Sequence, residues 1–451
     1  RNPLNSRPDT MPTVFALLQN LVRSIPMPAT LLASTLLAST LLSVPLVVSG
    51  QTDPADSPQD TLDHFARLIQ QQGQLNQFNH QLLPPLLDAA RVAMELHQYD
   101  EAADSLNRAL QITRISEGLY APEQIPLLKL LVENDSRRGD WGAVNSNLEH
   151  LLWLVTRKRQ YLDADMVNEL MDISRYHLAA VAQDHVDNQG YHYLNASGIN
   201  RLAIRAGTLL WGAGDLRLIT LQYELVKQYY LQALAIENGG STALKLRAVV
   251  PGAGWTLSRK VARRSLYTAG RSRLRDMQES YLRQNPPQRE AAAMVGLYLA
   301  DWQVLFTEES AAEDYRNAYD ALQDAGVDPG LMQAYFAEPL PLPLEAFHSS
   351  IASASDDLSW SPLLQDSGAS PAATVTLSLG PLTKITRWID GRFVSRLGVP
   401  QDVEIIDHPD GSLLAADDLD RHFHDLHFRP RLNQGMVEPV QTTFNYLISA
   451  E

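Results

Sequence analysis

The chain contains no cysteine. That excludes a disulfide scaffold, Cys-ligated zinc, iron–sulfur clusters, a thiol nucleophile and acylation as a lipoprotein. Basic residues are in deficit, with 37 Lys and Arg against 52 Asp and Glu and a formal net charge of −15. An acidic surface repels a phosphate backbone, so general nucleic-acid binding is excluded. Catalytic signatures are missing as well. There is no Gly-x-Ser-x-Gly and no His-Glu-x-x-His. The two glycines of Val250-Pro-Gly-Ala-Gly-Trp255 lack the third glycine of a dinucleotide fingerprint and the lysine of a P-loop. No pair of acids stands out from the rest, so the sequence assigns no catalytic residue, no cofactor and no metal, and predicts a protein that is not an enzyme.

What is present is an ordinary globular composition, 45% hydrophobic and 20% charged over 451 residues, enough for two or three cores. Near the N-terminus, Ser24–Thr52 carries no charge, and Leu31–Val48 is densely apolar behind Arg23. Val48-Ser49-Gly50 then supplies small residues before the polar stretch Gln51–Asp60. A positive flank, an apolar run and a small-residue end predict a secretory signal peptide within residues 1–50, translated from Met11, with 51–60 a linker. Left uncleaved, the same run approaches the length of a membrane anchor.

From about Thr61 to Ala337 the apolar spacing is helical. Two stretches repeat within it: His97-Gln-Tyr-Asp-Glu-Ala-Ala-Asp-Ser-Leu-Asn-Arg-Ala-Leu110 and Gly139-Asp-Trp-Gly-Ala-Val-Asn-Ser-Asn-Leu-Glu-His-Leu-Leu152. Tyr99 aligns with Trp141, Ala102 with Val144, Leu106 with Leu148 and Leu110 with Leu152, and Pro84 and Leu86 obey the same offset to Pro126 and Leu128. An aromatic at the inter-helix turn, a small residue for close approach and leucines one turn apart make a helical hairpin that needs neighbours to cover both faces. The pattern resembles the tetratricopeptide repeat, in the longer-period form of kinesin light chains, with the extra residues in Glu117–Pro122. A further helix is expected over Asp163–Gln183, a loop over Asp184–Ser197, a helix over Asp215–Glu237 and a last hairpin over Gly296–Ala325.

The proline-rich Ala337-Glu-Pro-Leu-Pro-Leu-Pro-Leu344 and the Ser/Ala/Asp-rich stretch after it read as a linker, residues 338–373. From Thr374 the period becomes two. Strands are expected at Thr374–Leu379, at Ile385–Ile389 and Arg392–Leu397 around an Asp390-Gly391 turn, at Val403–Ile406 and at Val440–Ile448, with a helix over Ala415–His427. His427-Phe-Arg-Pro-Arg-Leu-Asn-Gln-Gly-Met-Val-Glu-Pro-Val440 resembles the end of TonB C-terminal-like domains through Phe428, Arg429, Pro430, Gly435, Pro439 and Val440. That resemblance implies a periplasmic domain with a helix on an antiparallel sheet, able to take up a partner segment by strand addition. The chain departs from true transducers in having helices where those carry a long proline-rich spacer.

The fold class expected is therefore a tetratricopeptide-like α-solenoid over 61–337, followed by a small TonB C-terminal-like α+β domain over 374–451. The function expected is a periplasmic adaptor or scaffold of the bacterial cell envelope, with protein or peptide partners. The alternatives are an anchored TonB-like energy transducer and a cell-wall hydrolase. Partner-binding residues are expected at Arg114, Asn134, Arg137 and Asn145 on helical ridges, and at Thr442, Phe444 and Tyr446 on the last strand. His422, His424 and His427 with Asp420 and Asp425 form the densest ligand-like group, and read as the polar face of the last helix rather than a metal site. The basic run Arg259–Arg264 reads as a solvated helix face.

Overall fold

The computed structural model describes residues 57–73, 78–157, 162–185, 188–237, 259–357, 372–389, 392–407 and 416–447. The expected signal segment, Val250–Trp255 and the Asp390-Gly391 turn lie outside the described residues. The fold is mostly helical, with small antiparallel sheets toward the C-terminus. It divides into two compact units, one ending at Ala206 and the other running from Gly207 to Glu451. No helix among the described residues is long and apolar enough to cross a membrane.

The first unit is built of consecutive helices: α1 Pro58–Gly73, α2 Leu83–Glu95, α3 Tyr99–Ser116, α4 Gln124–Arg138, α5 Trp141–Arg157, α6 Ala164–Gln183 and α7 Gln189–Trp211, whose last five residues belong to the second unit. Each of α1 to α5 packs on the next. The 42-residue sequence offset between Tyr99 and Trp141 reappears as structure. Helices α3 and α5 begin at Tyr99 and Trp141, and Ala102, Val144, Leu106, Leu148, Leu86 and Leu128 are all buried at equivalent places. Local chemistry closes the turns. Gly139, in the left-handed conformation at φ 76°, ends α4, and Asp163 caps α6 by accepting from the Met166 amide.

One expectation for this unit fails. Asp184–Ser197 is not a loop, because α7 begins at Gln189. Glycine, asparagine and histidine there make weak helix formers. The segment is held instead by buried residues, among them His192, Tyr193 and Ala196.

The second unit opens with α8 Leu218–Glu237, α9 Arg259–Leu282, α10 Arg289–Leu305, α11 Ala311–Asp324 and α12 Pro329–Tyr335. Trp302 of α10 is buried against α9. Its indole Nε1 donates to the Tyr267 carbonyl at 2.9 Å, and its ring covers Gly270. Next come β1 Leu340–Leu342, α13 Ile351–Asp357, β2 Ala372–Leu379, β3 Ile385–Ile389, β4 Arg392–Arg396, β5 Asp402–Asp407, α14 Ala416–Asp425, β6 His427–Arg429, β7 Leu432–Asn433, β8 Met436–Val437 and β9 Val440–Leu447. The main sheet has order β5-β2-β9, all antiparallel. Alternate residues of β2, Ala373, Val375, Leu377 and Leu379, form a core with Leu419 and Phe423 of α14 and with Phe428.

The segment expected as a linker, residues 338–373, holds structure over its first half. Leu340–Leu342 pairs antiparallel with His427–Arg429. The following backbone is tied to helices: Tyr223 Oη donates to the Leu344 carbonyl at 2.7 Å, Lys227 Nζ to that of Glu345 at 2.6 Å and Tyr298 Oη to that of Ala346 at 2.9 Å. Phe347 sits among the rings of Tyr223, Tyr281 and Tyr298. The expected helix over 415–427 also ends earlier, at Asp425, so His427 lies on strand β6 and not on a helix face beside His424.

Candidate interaction surfaces and buried polar sites

The sequence-predicted residues of the first unit separate by burial. Asn134 is fully buried, and its Nδ2 donates to the Tyr99 carbonyl at 2.9 Å. It is therefore no ridge residue: it fastens the start of α3 to α4, satisfying a backbone acceptor. Arg137 is exposed and pairs with Glu133 one helical turn away at 2.7 Å, while Asn145 is half-buried. Arg114 is half-buried in the last turn of α3. Its Nε donates to Gln124 Oε1 at 3.0 Å and its Nη2 to His150 Nδ1 at 3.1 Å. Burial and the neighbouring Arg114 guanidinium both push the His150 pKa down, so the ring accepts as neutral imidazole.

On β9 the three predicted residues occupy one register. Thr442, Phe444 and Tyr446 stand opposite Leu377, Val375 and Ala373, the core residues of β2. Thr442 Oγ1 donates to Glu338 Oε2 at 3.0 Å. Among the described residues no strand pairs with the far side of β9. What the strand offers is accordingly a row of backbone donors and acceptors along an unpaired edge.

Two buried polar sites were not legible as motifs. In the first unit, Asp184, which ends α6, accepts from the His185 amide at 2.5 Å and from Asn188 Nδ2 at 3.0 Å. Its Oδ2 also meets His192 Nε2 at 2.8 Å, and His192 Nδ1 meets His177 Nδ1 at 3.0 Å. With the carboxylate accepting, His192 donates from Nε2 and accepts at Nδ1, so His177 carries its proton on Nδ1. Burial pushes His177 down to about 3, the adjacent His192 adding to it, and lowers His192 as well. Tyr191 stacks edge-on against both rings and donates to Glu149 at 3.2 Å. The chain ties α6 to α7. Fifteen residues separate the two histidines, a spacing that no sequence rule reads as a contact.

In the second unit Arg429 is wholly buried. Its Nε and Nη2 donate to Asp301 Oδ1 and Oδ2 at 2.9 and 2.5 Å, a bidentate pair, and Nη1 donates to the Tyr335 hydroxyl. Tyr315 Oη donates to Asp301 Oδ1 at 2.7 Å, and the guanidinium lies over the Tyr298 and Tyr335 rings. Although burial works against its charge, Asp301 outweighs that, and the Arg429 pKa stays well above the usual value. Burial raises the pKa values of Tyr298, Tyr315 and Tyr335. The cavity beside the pair, lined by Tyr223, Lys227, Tyr298, Asp301 and Pro343, holds about 10 Å³, room for about one water molecule. The sequence pattern singled out Arg429 and gave no sign that it meets Asp301.

No group of three His, Asp or Glu side chains among the described residues is placed to hold a metal. His422 and His427 are both buried, burial pushing them down to about 4 and about 3, and His427 Nδ1 donates to the Leu397 carbonyl at 2.7 Å.

In comparisons with known proteins, no family model matches the chain, and no curated protein matches it.

Proposed function

We propose that the chain is a binding scaffold of the bacterial cell envelope, with a tetratricopeptide-like helical part and a TonB C-terminal-like end that takes up an extended partner segment along β9. The observation that carries the reading is the edge of β9, eight residues long and paired on one side alone among the described residues. An unpaired edge of that length is a ready template for strand addition, in which backbone hydrogen bonds supply affinity. The hairpin repeat supports the same reading, since stacked helical hairpins generate extended surfaces suited to partners. The export signal expected within residues 1–50 supports an envelope location.

The test is photo-crosslinking in intact cells of the native host, from a benzoyl-phenylalanine placed at Gln441 or at Asn445. A discrete adduct with one envelope protein is expected, and hydrogen exchange on the purified pair should then show alternate β9 amides slowing. Adducts absent from both positions, or β9 amides unchanged on binding, would remove strand addition as the mode.

A further inference from the structure

The turn joining α3 to α4 contains the residues that lengthen the repeat, and it is unusually apolar for a turn. Leu119 and Tyr120 in it, and Ile115 in the last turn of α3, are 56, 44 and 60% exposed. The Tyr120 ring packs on Trp153 of α5, with centroids 4.6 Å apart. Trp153 lies three residues from His150, on the same side of α5. The patch and the Arg114–His150 pair are therefore one continuous surface, bridging α3, the turn and α5.

Arg114 is the unusual member. Its described partners, Gln124 and His150, are both neutral. No described carboxylate lies within ion-pair distance of it. Glu117, three residues on, is engaged with His80 at 3.7 Å instead. A half-buried guanidinium loses hydration without gaining a counter-charge, which is unfavourable until an anion arrives. Gln124 and His150 hold it in place, and its Nη1 hydrogens remain for a carboxylate. In a chain of net charge −15 a cation left without an acid is not explained by general charge balance.

We infer that this surface is a docking site for a partner's peptide segment in which a carboxylate neighbours a leucine or aromatic side chain, the acid meeting Arg114 and the apolar group resting on Leu119, Tyr120 and Trp153. The inference rests on the scaffold reading and adds a second contact with its own chemistry. Aromatic anchors ringed by polar groups are the usual centre of such contacts.

A library of random 12-residue peptides displayed on phage, selected against the whole chain, tests it. Enriched peptides are expected to place Asp or Glu beside Leu, Phe or Trp. The best of them, made synthetically, should bind at least tenfold more weakly to Arg114→Gln. It should bind several-fold more weakly to Leu119→Ser, a change at an exposed side chain that leaves folding intact. Arg91→Gln, at an exposed arginine of α2 paired with Asp88, should bind as the unchanged chain does. Enrichment of acid-free peptides, no enrichment at all, or equal affinity for Arg114→Gln and the unchanged chain would overturn the site. Peptides whose binding survives Arg114→Gln and Leu119→Ser but is lost when Thr443→Pro disrupts β9 would overturn it while leaving the scaffold reading standing.

Discussion

At the scale of residues, the second unit depends on a charge that it buries. Arg429 and Asp301 satisfy each other in a region buried from bulk solvent. Removing one member leaves the other buried and uncompensated, so Arg429→Met should destabilise the unit by roughly 3–5 kcal/mol, read from urea unfolding. The double variant Arg429→Met, Asp301→Leu should recover much of that loss, because an apolar pair of similar size needs no desolvation. Equal losses in the single and double variants would show that packing, and not charge, is what Arg429 supplies. Histidines act in the opposite direction, since the fold keeps them neutral. His177, His422 and His427 have folded pKa values of about 3, 4 and 3, below that of an imidazole in an unfolded chain. A depressed imidazole contributes its stability above the unfolded pKa, and that stability drains away as pH falls below it. About two pH units below the free value each of the three should cost roughly 2–3 kcal/mol. His177→Asn keeps a donor toward His192 and should flatten the acid limb of a stability–pH curve while lowering stability near neutrality. An acid limb as steep as that of the unchanged chain would show that His177 is not what titrates.

At the scale of elements, helices were legible wherever the apolar spacing repeated, and the duplicated hairpin was legible because equivalent residues recur at equal intervals. Tyr99 and Trp141 each open a helix, as the pattern required. The β2 to β5 strands and β9 were readable from period-two alternation for the same reason. What escaped was held by contacts distant in sequence. Helix α7 starts among poor helix formers because His192 is engaged by Asp184 and His177. Strand β1, two leucines around a proline, has no strand signal of its own and exists through pairing with residues 427–429. The α9–α10 contact shows how narrowly such packing is specified. A Cβ built on Gly270 would stand 2.1 Å from Trp302 Cζ2. Alanine gains about 1 kcal/mol over glycine in a helix interior, but forcing apart a filled contact costs roughly 1–3 kcal/mol or more. Gly270→Ala should therefore lower the melting temperature, and adding Trp302→Leu should reverse the sign of its effect. A stabilising Gly270→Ala in the otherwise unchanged chain would mean that Trp302 does not fill the space beside Gly270.

At the scale of the whole molecule, composition placed a boundary near Ala337, where helical periodicity stops and prolines begin. The compact units instead divide at Ala206 and Gly207. Composition records what each segment prefers alone, whereas a folding unit is set by what its segments bury together. Residues 374–451 are bound to the helices before them at several independent points. Strand β6 takes β1 as its partner, Arg429 takes Asp301, Lys384 pairs with Glu309 at 2.8 Å, and the Leu432 amide donates to the Phe336 carbonyl at 3.1 Å. Gly435, at φ 75°, sets its turn against the Tyr319 ring. A fragment of 374–451 would keep most of the core of β2, β5, β9 and α14 but lose every one of these partners. Small domains have little stability to spare. That fragment should accordingly show a poorly dispersed amide NMR spectrum and a shallow urea transition, whereas the fragment 207–451 should unfold in one steep step whose slope matches its larger buried surface. If 374–451 alone gave sharp, dispersed resonances and a cooperative transition, the C-terminal region would be a separable module, as the sequence pattern by itself suggested, and Arg429 would be a latch between two bodies instead of the centre of one.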